Sequence, residues 1–185
     1  MDTVSYSRED VMSILNDKVL PVRITPENLP VFKRYTVKAT PAQLIIGNDG
    51  YERQRSSGFL DGQELMAFLL LGLGKFFFDH GRFDEALEMV NRLIVDYSGS
   101  HLMPEALFHA GFFRFKKTLD HRHLKEAYRI MAERYPGNEW TQTARMIAMN
   151  HLAPSVWEWS QRKNNINNMR FGVILTSIDD LEGKS

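Results

Sequence analysis

The sequence predicts a mixed α+β fold that is mostly α: a short α/β segment followed by α-helical hairpins. Three observations predict it. Residues 7–64 alternate helix-like and strand-like patterns around a sharp turn signal, Asn48-Asp49-Gly50. From Leu65 to Met149 apolar residues recur at helical spacing almost without a break. Within that stretch a unit of 38 residues repeats, pairing Tyr97 with Tyr135, Gly99 with Gly137 and Ala106 with Ala144.

Composition bounds the reading. A chain of 185 residues holds one compact domain or two small ones, and a hydrophobic fraction of 43% supplies a core. Lys+Arg and Asp+Glu both total 23, so the formal net charge is zero. Nucleic acid and anionic lipid both call for a basic excess, which argues against either as the main partner. Neutrality favours self-association, so a homo-oligomer is one expectation. Met1–Asp10 is polar with three acids and does not resemble a signal peptide; the expected location is cytoplasmic. The chain contains no cysteine.

Taken in order, Ser7–Asn16 reads as a helix, with Asp10 three residues after Ser7 and an apolar stripe of Val11, Ile14 and Leu15. Val19–Ile24 reads as a short strand whose Pro21 suggests an edge or a bulge. Thr25-Pro26-Glu27 has the form of a helix start, and that helix is expected to run to Tyr35. Ala42–Ile46 and Tyr51–Ser57 read as a hairpin. Asp61-Gly62-Gln63-Glu64 is a capping box that launches the apolar run Leu65–Phe78. That run is 14 residues long and is broken by Gly72, Gly74 and Lys75, whereas a membrane span needs roughly 20. It predicts a buried helix and no membrane span.

The stretch Val11–Leu70 resembles the thioredoxin fold. The resemblance rests on VMSILNDKVLPVRI, then FKRYTVKATPAQLIIGNDGYERQRSSGF, then a helix, with Thr40-Pro41 placed between YTV and the hairpin. It implies a cis bond before Pro41 and a peptide-binding role for the backbone at Thr40 and Pro41. It also exposes a departure. The family's first strand and its Cys-x-x-Cys have no counterpart here, and Met1–Tyr6 resembles the stretch that follows that cysteine pair. Under the resemblance the domain is incomplete. Val19–Ile24 and Ala42–Ile46 should be parallel neighbours of a missing central strand. The expected remedy is that the two strands close up or that a second chain completes the sheet; Phe171–Leu175 filling the gap is the lesser alternative.

Gly81-Arg82-Phe83-Asp84-Glu85-Ala86, Tyr97-Ser98-Gly99-Ser100, Pro104-Glu105-Ala106-Leu107 and Tyr135-Pro136-Gly137-Asn138 resemble tetratricopeptide repeats over about Leu71–Met149. Gly81, Ala86, Ala106, Gly111, Ala127 and Ala144 are then expected where helices approach closely. Trp157 and Trp159 are expected in a last capping helix, and Lys163–Asn168 as a polar linker. The expected division is 1–64, 65–162 and a linker and tail, 163–185.

Catalytic signals are weak. The histidines 80, 101, 109, 121, 123 and 151 are scattered. Only His121 and His123 are close, and their spacing lacks the i,i+4 geometry that puts two ligands on one helical face. A polar loop between helices is the plainer reading, with Asp120 as the nearest third ligand. No P-loop, G-x-S-x-G or G-x-G-x-x-G occurs. The sequence therefore points to a non-enzymatic protein–protein interaction or scaffold module without cofactor or metal, binding a protein or peptide partner through a helical-repeat groove. The alternative is a thioredoxin-like thiol–disulfide oxidoreductase or chaperone whose redox segment lies outside this chain.

Overall fold

A computed structural model describes residues 8–25, 27–150 and 171–175. The element order is α1 (Glu9–Lys18), β1 (Val19–Arg23), α2 (Leu29–Arg34), β2 (Ala42–Ile46), β3 (Glu52–Ser57), α3 (Gly62–Asp79), α4 (Phe83–Asp96), α5 (Met103–Thr118), α6 (Arg122–Arg134), α7 (Glu139–Asn150) and β4 (Phe171–Leu175). The fold is mixed and mostly helical, and no helix among the described residues is long and apolar enough to cross a membrane. It divides into two units, Met1–Gly72 with Ile166–Ser185, and Leu73–Asn165. The first boundary thus falls inside α3 rather than at 64/65. The chain end is not merely a tail, since β4 belongs to the first unit.

The first unit is built on a four-stranded sheet of order β1-β4-β2-β3. Here the structure corrects the expectation of a closed-up or externally completed sheet. β4 lies between β1 and β2, parallel to β1 (Val173 opposite Pro21) and antiparallel to β2 (Val173 opposite Ile45). The central strand is thus supplied from within the chain, and β1 and β2 are not both parallel to it. The physical reason is backbone pairing: a gap between two strands leaves two rows of N–H and C=O groups that a third strand can satisfy together.

β2 is buried along its whole length. Ala42, Leu44 and Ile46 face Tyr35 and Val37, which follow α2. On the other face, Ile45 fills the space where a Cβ on Gly72 of α3 would stand, so glycine is what lets that helix approach the sheet. The hairpin closes with Gly47 N–H bonded to the Tyr51 carbonyl at 2.9 Å and with Gly50 at φ 77°. Asp61 caps α3 as its capping box predicts: its Oδ1 accepts the Gln63 and Glu64 N–H groups at 2.8 and 2.9 Å.

Two helix starts differ from the sequence reading. α1 begins after Arg8, whose guanidinium pairs with Asp10 at 2.8 Å; Ser7 lies outside the described residues. The Thr25–Glu27 segment does not open α2. Instead the Asn28 N–H bonds to the Thr25 carbonyl at 3.0 Å in a turn, and the helix starts at Leu29 with Pro30 in its first turn.

In the second unit, consecutive helices α4 to α7 pack neighbour on neighbour, and α5 also meets α7. The repeat seen in sequence is a repeat of hydrogen bonds. Ser100 N–H bonds to the Tyr97 carbonyl at 2.9 Å, and Asn138 N–H to the Tyr135 carbonyl at 3.1 Å. Ser100 Oγ then accepts the Leu102 N–H, and Asn138 Oδ1 the Trp140 N–H, at 3.1 and 2.9 Å. The same side-chain turn therefore opens α5 and α7. Close approach occurs at Gly111, where a Cβ would overlap the Ala127 methyl, and at Gly74, where it would press on Val90. Gly81 has a different job from the one expected. At φ 72° it ends α3, with its own N–H on the Phe78 carbonyl and that of Arg82 on the Phe77 carbonyl, both at 2.9 Å. The core is aromatic: Phe78 stacks on Phe113 at 4.4 Å and tilts against Phe112 at 5.3 Å. Trp157, Trp159 and the 163–168 segment lie outside the described residues.

Candidate functional site

The two sequence-predicted site residues stand where α2 hands the chain to β2. After α2, Thr36 takes the left-handed region (φ 51°) and Val37 N–H bonds back to the Phe32 carbonyl at 2.9 Å, so the chain reverses tightly. Arg55 on β3 holds that reversal by donating to the Tyr35 and Thr36 carbonyls, and the Tyr35 hydroxyl reaches the Gly50 carbonyl at 3.3 Å. Lys38 and Ala39 are then exposed and Thr40 half-buried. The Thr40–Pro41 bond is cis, as the resemblance implied. The Pro41 carbonyl accepts the Gly58 N–H at 2.8 Å, which ties it to the end of β3. Thr40 and Pro41 are therefore adjacent in role as well as in sequence: one is fixed to the sheet, the other leads up to it. Among the described residues, no backbone hydrogen bond is made by Lys38, Ala39 or Thr40. Three consecutive residues at the mouth of a buried strand thus keep their donors and acceptors available to an extended segment.

A second constellation, in the other unit, escaped the sequence reading. Lys75 on α3 donates to the Glu105 carboxylate on α5. His109, one turn along α5, brings Nε2 to 3.8 Å from the same carboxylate oxygen, beyond hydrogen-bond range but within ionic reach. Trp140 on α7 closes the group, its ring 5.5 Å from the His109 ring and 5.9 Å from Lys75 Nζ. Neither His109 ring nitrogen has a hydrogen-bond partner among the described residues. Burial pushes the His109 pKa below its ordinary value, and the nearby Lys75 charge adds to this against the opposing pull of Glu105. Burial also opposes the charge on Glu105, but His109 and Lys75 outweigh it and hold that carboxyl at about 2. With His109 neutral, Lys75 is the ionic partner of Glu105 at neutral pH. The i,i+4 pair Glu105/His109 was visible in the sequence. Lys75 was not recognisable, because inside an apolar run it read only as an interruption.

The His121/His123 pair offers no metal centre among the described residues, where no group of three or more His, Cys, Asp or Glu side chains is placed to hold an ion. Asp120 is taken by Arg122 at 2.7 Å, and that hydrogen-bonded guanidinium holds its carboxyl at about 2.

No family model, no curated protein and no solved structure matches the chain.

Proposed function

We propose that the chain is a non-enzymatic interaction module that binds a protein or peptide partner as an extended segment. The observation that carries this reading is the run of unbonded backbone from Lys38 to Thr40, directly before the buried strand β2. A segment laid beside it would be held by main-chain hydrogen bonds, with affinity from the backbone and selectivity from flanking side chains. The helix-pair array of the second unit serves as scaffold and offers a groove as a further contact surface, as stacked repeats do. Thioredoxin-like and tetratricopeptide-like relationships belong to this proposal and agree with it. A cytoplasmic setting is also part of it, since a cysteine-free chain loses nothing in a reducing compartment.

The test is selection of binders from a random peptide library against the full chain, followed by titration of the selected peptides. Thr40→Pro removes one backbone donor, and Ala39→Trp fills the exposed approach; each is expected to weaken binding about tenfold or more. Peptides that bind both variants and lose affinity with Trp140→Ala would move the contact to the helical array. A library yielding nothing above an unrelated control protein would overturn the reading.

A further inference from the structure

Charge around the Lys38–Thr40 stretch is one-sided in a chain that is neutral overall. Residues 28–48 contain Lys33, Arg34 and Lys38 and not one acid. All three side chains are exposed, and none makes an ion pair among the described residues. Three other cations of the same unit are neutralised locally: Arg8 by Asp10, Arg53 by Asp49 and Arg55 by Glu52, at 2.8, 2.5 and 2.6 Å. Arg34 instead lies over the Tyr35 ring at 5.4 Å, which leaves its charge uncompensated. Uncompensated cations therefore collect beside the stretch of free backbone described above.

We propose that the segment bound at Lys38–Thr40 is acidic, an extended polypeptide from a partner protein with glutamate or aspartate beside Lys38. The inference deepens the peptide-binding reading and rests on it. A strand paired with Lys38–Thr40 sets its own side chains next to Lys38. Lys33 and Arg34, five and four residues earlier, act through a field that salt screens over about 10 Å at 0.1 M. Their contribution is to attract and select, adding to the affinity that the backbone bonds provide. A cationic segment meets three like charges with no acid in residues 28–48 to offset them, so discrimination by sign is built in.

Three fluorescein-labelled octapeptides separate the possibilities, alternating valine with glutamate, glutamine or lysine, each titrated into the full chain. The glutamate peptide should bind about tenfold more tightly than the glutamine peptide at low salt. That advantage should collapse near 1 M salt, where screening reaches about 3 Å. The lysine peptide should not bind measurably. Lys33→Gln and Arg34→Gln together should reduce the advantage while leaving the glutamine peptide unaffected, and Ala39→Trp should weaken both peptides. Equal binding of the glutamate and glutamine peptides would overturn the acidic preference and leave the peptide-binding reading standing. Absence of binding by either peptide both to the parent chain and to a variant neutralised at Asp179, Asp180 and Glu182, or indifference to Ala39→Trp, would overturn both. A variant neutralised at Asp179, Asp180 and Glu182 supplies the remaining arm: if only this variant takes the glutamate peptide, the occupant is the chain's own acidic end, and a partner in trans is excluded.

Discussion

His109 Nε2 stands 3.8 Å from the Glu105 carboxylate one helical turn away, yet the ring has no hydrogen bond among the described residues and is held below its ordinary pKa by burial. The second unit therefore carries a buried base that is neutral when folded and readily protonated when unfolded.

Stability should consequently fall on acidification in two stages. His109 binds its proton more weakly in the fold, so its contribution is complete above its ordinary pKa of 6.5 and is lost as pH falls through that value. Glu105, held at about 2 against an ordinary 4.5, contributes stability above pH 4.5 that is lost between there and 2. Thermal unfolding measured across pH should show both limbs, and His109→Gln should remove the upper one and shrink the lower, since His109 helps Lys75 hold Glu105 low. An unchanged upper limb in that variant would assign it to another group.

Gly111 is required by the approach of α5 to α6, where a side chain would overlap Ala127 and press on the His123 carbonyl. Gly111→Val is expected to destabilise by about 1–3 kcal/mol, since overpacking outweighs any gain in helix propensity. Gly137 is the control: an added methyl group there would meet nothing within 4 Å, and Gly137→Ala should stay within about 0.5 kcal/mol of the parent. Urea unfolding of the two variants reads the difference.

β4 is paired on both sides, so a proline within it breaks a ladder in the middle of the sheet. Val173→Pro should cost about 2–4 kcal/mol and release amide protection in its neighbours, the β1 residues Leu20 and Val22 and the β2 residues Leu44–Ile46. Hydrogen exchange measures this residue by residue. Protection in β2 that survives the substitution would show that the sheet does not depend on β4.

Thiol–disulfide exchange requires a thiolate, and the chain has no cysteine. Insulin-disulfide reduction by the purified chain should match a protein-free control. Turnover that persists after contaminating thioredoxin is removed would contradict this.

Local signals were legible wherever the chemistry is local. The Asn48-Asp49-Gly50 turn, the Asp61 cap, the limits of β2 and each of the two turns that recur 38 residues apart depend on residues within a few positions of one another. Each appears in the structure as a specific hydrogen bond or pairing. Where a local signal had a competitor it misled: Thr25 has the form of a helix cap, but its carbonyl accepts the Asn28 N–H ahead of a helix that starts at Leu29, and Gly81 has the size for a contact between helices but terminates one. The Glu105/His109 half of the buried cluster could be read from its spacing, while Lys75 arrives from another helix, 30 residues away.

The order of helices and strands, the hairpin, the Asp61 cap and the repeat could all be read from residue order, because nearest neighbours along the chain settle them. Long-range pairing makes Phe171–Leu175 the strand between β1 and β2, and helix packing brings Lys75, Glu105, His109 and Trp140 to one site. A five-residue apolar run carries no mark of which strand it will pair with or in which direction. That choice is made by the unpaired N–H and C=O groups of two strands more than a hundred residues earlier, which a strand lying between them satisfies on both sides.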